Sequence, residues 1–226
     1  MDILSARKIS EDKREEFSQF FALLSEANKT FNLTSITDGK EVEIKHFLDS
    51  ILPADEFFNG ANVVEIGSGG GFPSIPLKIA RPDLRFTLIE STGKKCAFLN
   101  SVVDKLGLNC VQVLNIRAED GARDKNLREK FDIATARAVA RLNTLCEYCL
   151  PYVKIGGKFI ADKGDVSEEL AEAENAVKLL GGELEKCVEY ELPDGMGKRC
   201  AVVIKKVKNT SLKYPRGQGK ERKNPL

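Results

Sequence analysis

"VVEIGSGGGFPSIPL", residues 63–77, is an apolar run that breaks into four glycines within five positions and then meets two prolines. A strand that gives way to bare backbone marks a chain passing close beneath a flat ligand. Spacing tests which ligand. A P-loop needs G-x-x-x-x-G-K-[ST], but Phe72, Pro73 and Ser74 stand where Lys and Ser/Thr are required. A dinucleotide fingerprint needs G-x-G-x-x-G; Gly67 and Gly69 fit, but Phe72 takes the third place, where a glycine would let helix and strand approach closely. What stands here is G-x-G-x-G at Gly67, Gly69 and Gly71, with Glu65 two residues before the first glycine.

Downstream, strand and helix patterns alternate. "NVVEI" predicts a short buried strand, and "RFTLIE" the next, ending in Glu90. A helix from Ser91 carries Leu99, Val102, Val103 and Leu106 and stops at Gly107. "CVQVLNI", "KFDIATARAV" and "GGKFIADKG" predict three more strands, with helices at 141–150 and 166–180. "GELEKCVEYELP" and "KRCAVVIKKV" flank a Gly-rich turn and should pair as an antiparallel hairpin at the sheet edge. Such alternation implies a doubly wound, mostly parallel sheet. Upstream, Phe17, Phe20, Phe21 and Leu24 give residues 10–29 an amphipathic face, and Ile44, Phe47, Leu48 and Ile51 do so for 38–51, so residues 1–60 form a helical cap.

The 226 residues contain one histidine, His46, which makes a zinc hydrolase or a Ser-His-Asp hydrolase hard to assemble. Of six cysteines only Cys146 and Cys149 are spaced C-x-x-C, and with Leu145 and Leu150 they read as the buried stripe of a helix; no metal is expected. Neither a membrane span nor a secretory leader is evident, which predicts a cytoplasmic protein with no membrane partner. Residues 205–226 carry eight Lys/Arg against one Glu, whereas the preceding 204 residues carry 27 basic against 33 acidic side chains. A concentrated cationic end suggests a polyanionic partner. Beyond Val207 the chain reads as a polar Pro/Gly tail with no core of its own.

An acid followed by G-x-G-x-G at the end of a first strand resembles the cofactor loop of class I S-adenosylmethionine-dependent methyltransferases. Glu90 then stands where an acid accepts both ribose hydroxyls, and Ala118 and Glu119 where the adenine is held. "NLTSI" (32–36), "KHFLDS" (45–50), "EIGSGGGFPSIPL" (65–77), "RAE" (117–119), "ARAVA" (136–140) and "KYPRGQGKERKNPL" (213–226) occur in the order seen in the RsmG (GidB) family of bacterial 16S ribosomal RNA guanine-N(7) methyltransferases. The family loop often ends in a glycine where Ser74 stands, and its usual Asp is Glu65 here.

That resemblance implies a Rossmann-like class I methyltransferase fold with a seven-stranded sheet, a donor-binding domain over 61–207 and an RNA-contacting tail over 208–226. It implies S-adenosylmethionine as cofactor, 16S ribosomal RNA or the small subunit as partner, and cofactor contacts at Gly67, Phe72, Ala118, Glu119 and Arg137. Gly69 and Glu90 join these by position. Candidate RNA contacts are His46, Arg141, Lys213, Tyr214, Arg216, Lys220, Arg222 and Lys223, with the Tyr214 ring available to stack on a base. Guanine N(7) carries a free lone pair, so no general base is expected. Two alternatives stay open: a methyltransferase of the same class acting on a small molecule or protein, and a non-catalytic RNA-binding assembly factor that keeps the cofactor fold.

Overall fold

A computed structural model describes residues 1–226. The apolar runs become strands: β1 (Asn62–Ile66), β2 (Arg85–Glu90), β3 (Val111–Asn115), β4 (Phe131–Arg137), β5 (Val153–Lys163), β6 (Gly182–Glu191) and β7 (Lys198–Lys206). They form one sheet in the order β3–β2–β1–β4–β5–β7–β6. β1 to β5 run parallel to one another, and the β6–β7 hairpin forms as its turn predicts. β7 inserts between β5 and β6, antiparallel to both, so β6 alone forms that edge. The expected antiparallel hairpin thus ends the sheet, with β7 inside and β6 outermost. β7 earns the inner place by composition: Cys200 to Ile204 are all at most 3% exposed.

The helices are α1 (Ile3–Asp12), α2 (Arg14–Asn28), α3 (Gly39–Val42), α4 (Asp49–Ile51), α5 (Ser74–Ala80), α6 (Gly93–Lys105), α7 (Ala118–Gly121), α8 (Leu142–Cys149), α9 (Ser167–Leu179) and α10 (Lys220–Lys223). Side chains alternate across the pleat, so adjacent residues feed different cores. Val63, Ile133 and Ile160 face a core shared with Phe20, Phe47, Ile75 and Leu99. Val64, Ala134 and Phe159 face a second core shared with Leu145, Cys149 and Ala176. α5, α6 and the N-terminal helices thus cover one face, and α8 and α9 the other. Cys146 and Cys149 are both fully buried, as the stripe predicts.

The N-terminal region departs from the periodicity in two places. One helix predicted over 10–29 is instead two, broken at Lys13 (φ −110°, ψ 23°), and α1 begins earlier, where the Asp2 side chain accepts from Ser5 N at 3.0 Å. Between α3 and α4 the backbone loosens into a π-helix over Glu43–Leu48. The extra residue per turn re-aims His46, and π-helical turns of this kind recur at functional sites.

Candidate functional site

Strand order reverses between β1 and β4, and open α/β sheets bind small molecules beyond the carboxyl ends of their strands at such a point. A crevice of about 390 Å³ opens there, within the roughly 300–1,000 Å³ of small-molecule sites. Ile66, Gly67, Ile89 and Glu90 line it from β1 and β2, Ile116 to Glu119 from the end of β3, and Val139 from beyond β4. A larger hollow of about 640 Å³ beside Tyr190, Arg199 and Cys200 touches no glycine loop.

The glycines shape this crevice. Gly67 sits at φ +73°, and a Cβ there would lie 2.7 Å from Val139 Cγ2. Only a residue without Cβ keeps the backbone both left-handed and open. Gly67 N donates to Ile89 O at 2.8 Å, tying the loop to β2. Gly69 N donates to Glu90 Oε2 at 3.0 Å and Thr92 N to Glu90 Oε1 at 2.8 Å. The Glu90 carbonyl accepts from Asn115 Nδ2 at 3.0 Å and Cys96 Sγ at 3.2 Å. Glu90 is thereby fixed at the end of β2, with lone pairs left over for a ligand's hydroxyls. Ala118 opens α7, its carbonyl accepting from Tyr152 OH at 2.6 Å. Bare backbone at Gly67, an acid at Glu90 and a small seat at Ala118 between Ile89 and Ile116 fit an adenosyl group.

Behind the loop, towards the cap, the chemistry is closed. Phe72 stacks on His46 at 4.3 Å between ring centroids, and the Arg137 guanidinium lies 5.0 Å from the Phe72 centroid. Arg137 donates to His46 Nδ1 at 2.9 Å, to Lys45 O at 3.3 Å and to Asp49 Oδ2 at 3.3 Å. Asp49 also accepts from Arg199 Nε at 3.3 Å and Tyr190 OH at 3.0 Å. Thr34 Oγ1 lies 2.7 Å from His46 Nε2; Nδ1 accepting from Arg137 leaves the proton on Nε2 to donate there. Asn28 holds Thr34 in place by accepting from its N at 3.1 Å. Burial, and then the Arg137 charge, lower the His46 pKa to about 4, so the imidazole is neutral.

Two carboxyls lie under this cluster. Glu65 is fully buried with neither oxygen hydrogen-bonded, and burial pushes it up to about 7 against the pull of Ser74 and Arg137. Asp162, its Oδ1 unpartnered, is pushed up to about 8 by burial and then by the Asp49 charge.

The family model described as "GidB: rRNA small subunit methyltransferase G" matches residues 13–194. The chain belongs to the GidB family. It is 46% identical over 224 residues to the ribosomal RNA small subunit methyltransferase G of Lactobacillus johnsonii, covering 97% of this chain and 94% of that relative. The same-named protein of Brevibacillus brevis is 47% identical over 230 residues, covering 100% and 97%. Among solved structures, an S-adenosylmethionine-dependent methyltransferase from Aquifex aeolicus superposes with TM-score 0.55 at 16% identity, over 80% of this chain and 97% of that one. The Bacillus cereus O-methyltransferase solved with S-adenosylhomocysteine gives TM-score 0.56 at 18% identity, over 83% and 91%. These two show a shared fold.

The GidB resemblance named residues that the structure distributes unequally. Gly67, Glu90, Ala118 and Glu119 converge on the crevice, and Gly69 braces Glu90 beside it. Phe72 and Arg137 do not line it; both face the cap. His46 is 8% exposed, so it is corrected from an RNA-facing side chain to a buried one, because the π-helix turns it onto Phe72. Tyr214 is 6% exposed, so its ring is not free to stack on a base. Arg216 is likewise corrected: it grips Glu147, whose side chain is 1% exposed, at 2.8 Å. Arg141 pairs with Glu172 at 2.8 Å on α9. Lys213, Lys220, Arg222 and Lys223 are exposed, and of these Arg222 also lines the crevice. Spacing missed Val139, Tyr148 and Gly219 as lining residues. Val139 lay within the family motif "ARAVA", whereas nothing local marks Tyr148.

Proposed function

We propose that this GidB-family chain transfers a methyl group from S-adenosylmethionine to N(7) of a guanine in 16S ribosomal RNA, in the cytoplasm. The observation that carries the proposal is the glycine loop braced by Glu90 at the sheet's switch point, in a chain with near full-length likeness to named ribosomal RNA methyltransferases. No helix is long and apolar enough to cross a membrane.

S-adenosylmethionine supplies an activated methyl on a sulfonium centre. Gly67 brings backbone close beneath the donor, Glu90 accepts from the ribose hydroxyls, and Ala118 seats the adenine with Glu119 at its polar edge. Because N(7) bears no proton, these residues act by alignment and by excluding water, which is worth several powers of ten in rate without a general base. Phe72 and Arg137 set the loop from the cap side. Asp49 pairs with the Arg137 guanidinium and keeps it on that side. In this scheme residues 1–60 act as the cap, 61–207 hold the donor, and 208–226 present Lys213, Lys220, Arg222 and Lys223 to RNA phosphates.

Unmodified small subunits incubated with the chain and methyl-labelled S-adenosylmethionine, then cleaved chemically at N(7)-methylguanine, should yield one labelled cut in the RNA. Label on protein or on other base positions would overturn the assignment. Donor binding with no transfer would leave an assembly factor in its place.

A further inference from the structure

The sequence of residues 208–226 predicts a basic RNA-contacting tail with no core of its own, yet the segment is built into the wall of the crevice. Thr210, Tyr214 and Glu221 are at most 6% exposed. Arg128 donates to the carbonyls of Thr210 at 2.7 Å and Tyr214 at 2.9 Å, and Arg123 to that of Pro215 at 2.6 Å. Arg216 donates to Glu147 from its backbone N at 2.8 Å, Nε at 3.0 Å and Nη2 at 2.8 Å. Thr144 Oγ1 donates to Glu221 O at 3.0 Å. A buried carboxylate held through several charge-assisted bonds fixes the segment against the fold.

These anchors leave α10 at the mouth of the crevice. Gly219 and Arg222 line it together with Gly67, Glu90, Ala118 and Glu119. Arg222 Nη2 donates to Val139 O at 3.2 Å. Val139 is the residue whose side chain a Cβ on Gly67 would strike. The guanidinium therefore spans from the tail to the rim residue that touches the glycine loop. Tyr148, 6% exposed, lines the same rim.

We propose that segment 213–223 is a wall of the donor crevice and that Arg222 is a donor-binding residue, its guanidinium meeting the adenosyl end. The inference rests on the crevice binding S-adenosylmethionine. A guanidinium suits that place, since its plane stacks on an aromatic base while its edge donates to ring or ribose oxygen and nitrogen. One consequence is linkage. RNA phosphates drawn to Lys213, Lys220 and Lys223 act on the segment that walls the donor, so each ligand changes affinity for the other by the same factor.

The test is calorimetric titration of Arg222→Ala with S-adenosylhomocysteine, without RNA. Arg222 is exposed, so the variant should unfold at the wild-type temperature while binding about tenfold more weakly, the size of one lost charge-assisted contact. Arg222→Lys restores charge without the planar fork and should stay weak. Lys208→Ala removes one exposed charge away from the crevice and should bind as wild type. Unchanged affinity in Arg222→Ala, or an equal loss in Lys208→Ala, overturns the inference. A wild-type chain that does not bind S-adenosylhomocysteine overturns the proposed function, and this inference with it.

Discussion

The glycine loop has two sides that treat polar groups in opposite ways. On the crevice side, Glu90 gives one oxygen to the loop amide of Gly69 and one to Thr92, and lines the crevice with acceptor capacity left over. On the cap side, Asp49, Arg137, Arg199, His46 and Tyr190 satisfy one another, and Glu65 and Asp162 are shut in beneath them. The difference separates binding from positioning. A group that leaves capacity facing a void can take a ligand; a group whose partners are all protein fixes the frame around it.

The contrast breaks most sharply at Arg137. Arg137→Ala leaves Asp49 with Arg199 as its only cation and removes the charge that opposes protonation of Glu65, so stability should fall by about 3 kcal/mol in denaturant titration. Affinity of the folded protein for S-adenosylhomocysteine should change little. A lost affinity with intact stability would move Arg137 to the crevice side. Gly67→Ala should act through the backbone, costing about 2–3 kcal/mol of donor affinity from positive-φ strain and the contact with Val139. Wild-type calorimetry for that variant would show that the donor lies elsewhere. Glu90→Ala should cost about 2 kcal/mol of donor affinity through lost charge-assisted bonds, with a smaller effect on stability.

The buried carboxyls sharpen the comparison through pH. A carboxyl with a raised folded-state pKa favours folding below its unfolded value, and that contribution is lost as pH rises through about 7 for Glu65 and about 8 for Asp162. His46 acts oppositely: its folded pKa of about 4 lies below the unfolded 6.5, so its contribution is full above 6.5 and lost as pH falls through about 4. Between pH 6.5 and 8 the carboxyls dominate and stability should decline. Glu65→Gln should match wild type at pH 5 and exceed it by about 1–2 kcal/mol at pH 8 in urea unfolding. Parallel pH profiles for the two proteins would mean that Glu65 is charged and solvated.

Much of the fold was legible because periodicity is local. Predicted strands and helices from residue 62 to 207 agree with observed bounds to within a few residues, since alternating βα patterns, glycine stops and a Gly-rich turn carry their own signals. The break at Lys13 and the π-helix over Glu43–Leu48 carry no such signal. At the site, Gly67, Glu90, Ala118 and Glu119 were readable because each stands at or just past the end of a strand whose position in the sheet follows from alternation. Tyr148 was not: it belongs to a helix whose rim position depends on how α8 meets the tail.

Sequence by itself determined the order of elements, the glycine spacing that excludes phosphate loops and the family. These depend on short-range pattern, which survives without coordinates. Tertiary structure alone decided which charges are free. Arg216 and Arg222 stand six residues apart in one basic run, yet one closes on Glu147 across 69 residues while the other reaches the crevice. A charge count cannot separate them, because a side chain's role depends on which partner the folded chain brings within a few ångströms, and Coulomb energy is decided at that distance.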